Sequence, residues 1–250
     1  MIKRKYINYS VKDLDKAFDL VSGTKKHPIE YEGIDANMIA LVEIGMFDRF
    51  VDYLSVTLKR PRLEWYAAGS AAAFIYGCDN QIDVPEPRDV DIYFSKVSDL
   101  SDFIEMVHRA IDNNLMPKNV FFYKRNLDYI IRVDDDNFKY DIQIAVDPKW
   151  HVPARELMEH FDYTICMFSI HSRAIRKTER SYELRFLKEA AVDLNEKILN
   201  IHSTMTPKDS CYRAMKYLES GYTIGPKTPS RLVRSVKNQM KWDNHNGFGV

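Results

Sequence analysis

The chain has 250 residues, 45% of them hydrophobic and 29% charged, with acidic and basic side chains in equal number. That length can bury a sizeable core in one large domain or two modest ones. No apolar run approaches the roughly 18 residues of a membrane span, and the basic opening MIKRKYINYS lacks the apolar stretch of a secretory signal, so a cytoplasmic globular protein is expected. Cys78, Cys166 and Cys211 stand far apart without a C-x-x-C, which argues against a zinc ribbon and against a disulfide framework. The balanced charge hides a gradient. Residues 1–170 carry 21 Lys and Arg against 28 Asp and Glu, whereas residues 171–250 carry 15 against 8. Such a gradient suits metal ions held at one place and phosphates at another, or simply two solvated faces.

In chain order, Ser10 and the following VKDLDKAFDLV predict a capped amphipathic helix, and NMIALVEIGMFDRFVDYLSVTLK a longer one ending before Pro61. The period then changes. LEWYAAG (63–69) reads as a strand entering a turn at Gly69, SAAAFIYG as a short helix capped by Ser70 and ending near Gly77, and CDNQIDVPEP as a loop. DVDIYF is a strand and SDLSDFIEMVHRAIDNN a capped helix. NVFFYKR, LDYIIRV and FKYDIQIAV are three further strands, the last two joined by a DDDN turn. VPARELMEHF predicts a helix and YTICMFSI (163–170) a strand. YELRFLKEAAVDLNEKILNI starts as a strand and finishes as a helix. Thr206-Pro207 and Thr228-Pro229 open two last helices, the first stopped by Gly221. The expected class is α/β (α+β): a mixed sheet flanked by helices over residues 1–200, then a basic helical part over 201–250.

Alternation along DVDIYF turns Asp89 and Asp91 to one face and Val90 and Ile92 to the other. Two adjacent carboxylates repel, and a shared divalent cation relieves them; magnesium favours carboxylate oxygens and leaves positions for substrate phosphates. Alone, D-x-D also suits a polar strand face. Two features add to it. Gly69 and Ser70 lie where a strand enters a helix, whose free N–H groups suit a phosphate, although such a turn can need Gly for its backbone alone. Asp141 is a single acid in a strand whose Tyr140, Ile142 and Ile144 face the other way. Beside the Asp89 strand it would supply the third carboxylate of a two-metal site.

Gly-Ser at a strand-to-helix turn, then Asp-x-Asp on a strand, then one Asp on a later strand resembles the DNA polymerase β nucleotidyltransferase superfamily over roughly residues 60–145. FDYTICMFSI is similar to the RDFTINALA segment of CCA-adding and related RNA-tailing enzymes, with Phe161 in place of the arginine and Cys166 in place of the asparagine. RAMKYLESGY (213–222) resembles a helix of such enzymes and of nucleotidyltransferase-like proteins of large phages. The resemblance implies a nucleotidyltransferase that moves NMP from an NTP to an acceptor hydroxyl, with an RNA 3′ end as the favoured acceptor. Two magnesium ions would sit on Asp89, Asp91 and Asp141. Gly69 and Ser70 would cradle the triphosphate, with Arg213 and Lys216 neutralising it and Tyr217 beside them. A protein or small-molecule acceptor, as in toxin-type relatives, and a nucleotide-binding module without turnover are the alternatives; base choice, oligomeric state and pathway stay open.

Other features carry less. The seven histidines do not pair at metal spacing. The acids at 134–136 suit a hairpin turn, and Phe121, Tyr123 and Tyr129 are expected in the core, with base stacking as the alternative. Arg231, Arg234 and Lys237 share one helix side that suits a nucleic-acid backbone, a protein partner or plain solvent.

Overall fold

The computed structural model describes residues 2–10, 36–134, 140–176, 179–203 and 207–245. The helix expected over 11–21 and the turn residues 135–137 lie outside them. Among the described residues eight strands form one mixed sheet: β1 (Ile2–Ser10), β2 (Trp65–Ala68), β3 (Asp89–Phe94), β4 (Val120–Arg125), β5 (Asp128–Val133), β6 (Asp141–Ala145), β7 (Phe168–Arg176) and β8 (Glu179–Leu187). Their order is β1-β8-β7-β2-β3-β6-β5-β4, so the Asp-x-Asp strand is central. β3 and β6 run parallel, joined through a crossover that includes a helix, as a parallel pair requires.

Helices α1 (Ala36–Thr57), α2 (Ser70–Asp79) and α3 (Val97–Asp112) contribute to one continuous apolar core with one face of the sheet. Val90, Ile92 and Phe94 of β3 are fully buried in it, and Phe103 of α3 meets Phe47, Phe50 and Phe94 at centroid distances of 5.6, 6.3 and 5.3 Å. Each such side chain contributes about 1.5–3 kcal/mol through burial, which makes β3 a rigid support for its outward-facing acids. The other face is covered in part by the short helix α4 (Ala154–His160), whose Ala154 and Leu157 pack with Tyr66 and Ala68.

The C-terminal part consists of α5 (Lys188–Asn195), α6 (Pro207–Glu219), α7 (Thr228–His245) and a parallel pair of two-residue strands, β9 (Ile198–Leu199) and β10 (Thr223–Ile224). α6 ends as its glycine predicts. Gly221 takes φ +84°, its N–H reaches Leu218 O at 3.0 Å, Tyr222 N reaches Tyr217 O at 3.1 Å, and the Tyr217 and Tyr222 rings pack at 5.3 Å. The Thr228 hydroxyl donates to Leu199 O at 2.8 Å and accepts from Ile201 N at 3.0 Å, which ties the start of α7 to β9.

Several local expectations shift. The opening MIKRKYINYS contains β1, paired antiparallel along β8 from Ile2↔Leu187 to Ser10↔Glu179. Gly77 lies inside α2, which runs on to Asp79, because its missing side chain leaves room for Val84. In YTICMFSI, Thr164–Cys166 forms a 3₁₀ turn and the strand begins at Phe168; Thr164 Oγ1 donates to the buried Asp193 at 2.5 Å and holds the turn against α5. Tyr129 stacks on Phe122 at 4.8 Å on the helix-covered side, whereas Phe121 is 50% exposed on the opposite face.

Candidate active site

The backbone register sets out three rows across the open face of the sheet. Asp89 of β3 pairs with Asp141 of β6, and Phe121 of β4 with Arg132 of β5. The next row runs Ala68, Asp91, Gln143, Ile130, Tyr123. In the third, Tyr66 pairs with Tyr93 and Ala145 with Asp128, which pairs in turn with Arg125. Paired residues share a face, so the acids at 89, 91, 128 and 141 all lie on the side away from the main core.

Asp89 and Asp91 open into a cavity of about 750 Å³, whose wall also includes Gly69, Ser70, Asp128, Gln143, Trp150, Phe161, Arg213, Lys216 and Tyr217. That size suits a nucleotide-scale ligand. A second cavity of about 700 Å³, beside Arg62, His171 and Arg185 near the start of α4, contains none of the sequence-predicted site residues.

At the strand-to-helix turn Gly69 has φ +83° and occupies the N-cap position of α2. Its N–H binds Phe168 O at 3.1 Å and its carbonyl receives Ala73 N at 3.0 Å. Ser70 is therefore the first helical residue and does not cap: a left-handed residue that glycine alone takes readily starts the helix one position earlier than its sequence suggests. A Cβ on Gly69 would lie 3.7 Å from Asp91 Oδ2 and 3.9 Å from Phe161 Cζ, so the turn sits directly against the acid pair.

Burial, then the charges of Asp89 and Asp128, push the Asp91 carboxyl up to about 8 against the opposing pull of Arg213. Asp89 is also raised, chiefly by burial and also by Asp141, while Lys216, Arg125 and Arg88 pull it down. Asp141 behaves differently. Arg132 grips both of its oxygens, Nε to Oδ1 at 2.7 Å and Nη2 to Oδ2 at 2.8 Å, and Arg125 Nη1 adds a contact at 3.2 Å. These partners hold it below the usual carboxylate range. The strands thus bring Asp141 beside Asp89 as the sequence requires, while its carboxylate is occupied by arginine; among the described residues no three Asp, Glu, His or Cys side chains converge as a metal site. Asp89 and Asp91 by themselves fit a divalent cation: they are oxygen donors on one strand face, burial raises both and the charge of Asp89 raises Asp91 further, and neither is ion-paired among the described residues.

From α6, Arg213 donates from Nε to Asp162 Oδ2 at 2.6 Å, and Ser210 Oγ binds the same oxygen at 2.9 Å. Asp162 thereby fixes α6 at the cavity wall. Lys216 lies 5.9 Å from the Tyr217 ring centroid, and its charge acts on Asp89. Tyr217 is buried, its hydroxyl 3.3 Å from Cys166 Sγ, and burial keeps it protonated. Phe161, standing where the similar segment has arginine, is a cavity wall beside Gly69.

Sequence reasoning did not find Asp128, Gln143, Trp150, Arg125 and Arg132. Gln143, held to Asp128 by Nε2 to Oδ2 at 2.6 Å, was within reach, since it lies two residues beyond Asp141 on the same strand face. The others come from the β4–β5 hairpin and from a 3₁₀ turn at Pro148–Trp150, where no local pattern marks them.

No protein-family model matches the chain, and no curated protein matches its sequence. In backbone it is similar to the Thermotoga maritima CCA-adding enzyme complexed with tRNA, at 15% identity and a TM-score of 0.49, covering 93% of this chain and 46% of that one. It is likewise similar to a tRNA-processing enzyme in an apo form, at 15% identity and TM-score 0.49 over 85% and 49% of the two chains. A CCA-adding enzyme in complex with ATP gives 15% identity and TM-score 0.46 over 95% and 47%. The chain spans about half the length of these structures.

Proposed function

We propose that the chain is a magnesium-dependent nucleotidyltransferase that moves NMP from an NTP to an acceptor hydroxyl, an RNA 3′ end being the favoured acceptor, with release of pyrophosphate. The observation that carries this reading is the Asp89–Asp91 pair, held on a buried central strand, raised chiefly by burial and opening beside the Gly69–Ser70 turn into a nucleotide-sized cavity. In this reading the acceptor oxygen bonds to the α-phosphorus as the bond to the pyrophosphate oxygen breaks, and the hydroxyl proton passes to a carboxylate.

The backbone N–H groups at the start of α2 bind phosphate oxygens, with Lys216 and Arg213 reaching in from α6 to neutralise the leaving pyrophosphate. Asp89 and Asp91 would hold two magnesium ions. Asp141, once exchanged from Arg132, would complete the set and take the acceptor proton. Bound magnesium would lower the acceptor hydroxyl pKa and stabilise charge on the transferred group.

The test uses α-labelled NTPs with magnesium and, in parallel, an RNA pool, lysate protein and small alcohols. Label is expected on RNA with the native chain and lost with Asp91→Asn. Incorporation unchanged by that substitution would sink the mechanism, and label on protein or alcohols alone would move the acceptor.

A further inference from the structure

The open face of the sheet does not end at the acids. The same face continues across β6 and β5, past the fully buried Ile130, to the edge strand β4, where Phe121, Tyr123 and Arg125 alternate onto the Asp89 side. An edge-strand phenylalanine that is 50% exposed on that face is an apolar group with no role in the core, because Phe122, the neighbour that packs inward, already stacks on Tyr129. Tyr123 is half-buried in the Asp91 row. Beside these rings lie Arg125 and Arg132, with side chains 46% and 56% exposed, sharing the single carboxylate of Asp141. Asp134 also acts on Arg132 and Asp128 is the cross-strand partner of Arg125, yet a guanidinium carries five N–H donors, of which Arg125 uses one and Arg132 two on Asp141, so donors remain for a phosphate.

We infer that the β4–β5 hairpin face is the platform for a single-stranded nucleic-acid acceptor, its bases stacking on Phe121 and Tyr123 and its phosphates on Arg125 and Arg132. This rests on the nucleotidyltransferase reading and deepens it by naming the acceptor surface. An exposed ring and a half-buried one interleaved with arginines are what a single strand needs: a π-face for the bases and cations along the backbone. The placement fits as well. Three strand spacings of about 4.8 Å separate the Phe121 column from Asp89 and Asp91, roughly 14 Å, the length of about four stacked nucleotides. A strand lying on the platform therefore delivers its terminal hydroxyl to the acid pair. A phosphate arriving at Arg132 also competes with Asp141 for the guanidinium, so acceptor binding favours release of that carboxylate toward Asp89.

The experiment measures binding of a fluorescent single-stranded RNA oligonucleotide to the full chain by anisotropy, over a salt series, beside NTP binding and the transfer assay. Phe121→Ala and Tyr123→Ala should each weaken oligonucleotide binding by about 5- to 150-fold while leaving NTP affinity unchanged. Arg125→Gln and Arg132→Gln should each reduce the slope of log K against log salt by about 0.7. Phe121 is exposed and Tyr123 half-buried, so the folding of both ring variants is checked by denaturant midpoint. Unchanged RNA binding in both ring variants, no RNA binding by the native chain, or transfer to protein that the ring variants do not alter would overturn the platform. If the native chain transfers label and the ring variants bind RNA as before, the platform alone fails; if it binds RNA through the rings but transfers to nothing, only the catalytic reading fails.

Discussion

Replacing Asp91 by asparagine should stabilise the protein while removing its chemistry. The shift of Asp91 from an ordinary 3.8 to about 8 corresponds to about 6 kcal/mol at ~1.4 kcal/mol per unit. Part of it belongs to the coupling with Asp89, and allowing about half for that leaves ~3 kcal/mol charged against the folded state. The sign follows from proton counting. Between about pH 4 and pH 8 the folded chain keeps a proton on Asp91 that the unfolded chain has released, so stability falls as pH rises through that window, and the whole cost is present above pH 8. Asparagine has the same shape without the charge. Without magnesium at about pH 8.5, Asp91→Asn should unfold at a Tm higher by about 6–12 °C for a chain of this size, with the gap nearly closed near pH 4. Magnesium should narrow the gap at high pH by stabilising the native chain, by about 2.7 kcal/mol at a hundred times its Kd. Thermal unfolding across pH with and without magnesium reads all of this. A variant no more stable than the native chain at about pH 8.5 would refute the reasoning, because it would mean that the protein's own cations already compensate the pair.

His151 is buried between Phe94 N, which it accepts at 3.1 Å, and Ala145 O, 2.6 Å from its Nε2, and burial holds its pKa below 6.5. The unfolded chain then binds the extra proton, so stability should be lost as pH falls below about 6.5, and His151→Gln should flatten that limb in denaturant midpoints at about pH 5.5 and 7.5. Gly77→Ala would place a Cβ 2.2 Å from Val84 Cγ2 and 3.1 Å from Ile82 O, and should cost about 1–3 kcal/mol in urea unfolding despite the better helix former. Pairing it with Val84→Ala should recover part of the loss, and a neutral Gly77→Ala would show that the 80–88 loop does not press on α2.

Local sequence was enough wherever the physics is local. Alternation alone put Asp89 and Asp91 on one strand face and Val90 and Ile92 in the core, and Gly221 announced the end of α6 because only a left-handed residue closes that motif cheaply. The Gly69 turn was legible too, although not that its positive φ moves the cap one residue upstream of Ser70. The tertiary structure alone decided what lies across from each residue. β3 lies between β2 and β6, so Gly69 and Asp141 flank the acid pair from the two sides. Partners distant in sequence then determine the chemistry: Arg132 and Arg125 capture Asp141, Asp162 fixes Arg213, and the pairing of β4 with β5 turns Phe121 outward and Phe122 inward. A period of two says which residues share a face; which strand stands next to it, and which charge meets its carboxylates, depends on long-range pairing that no window of the sequence contains.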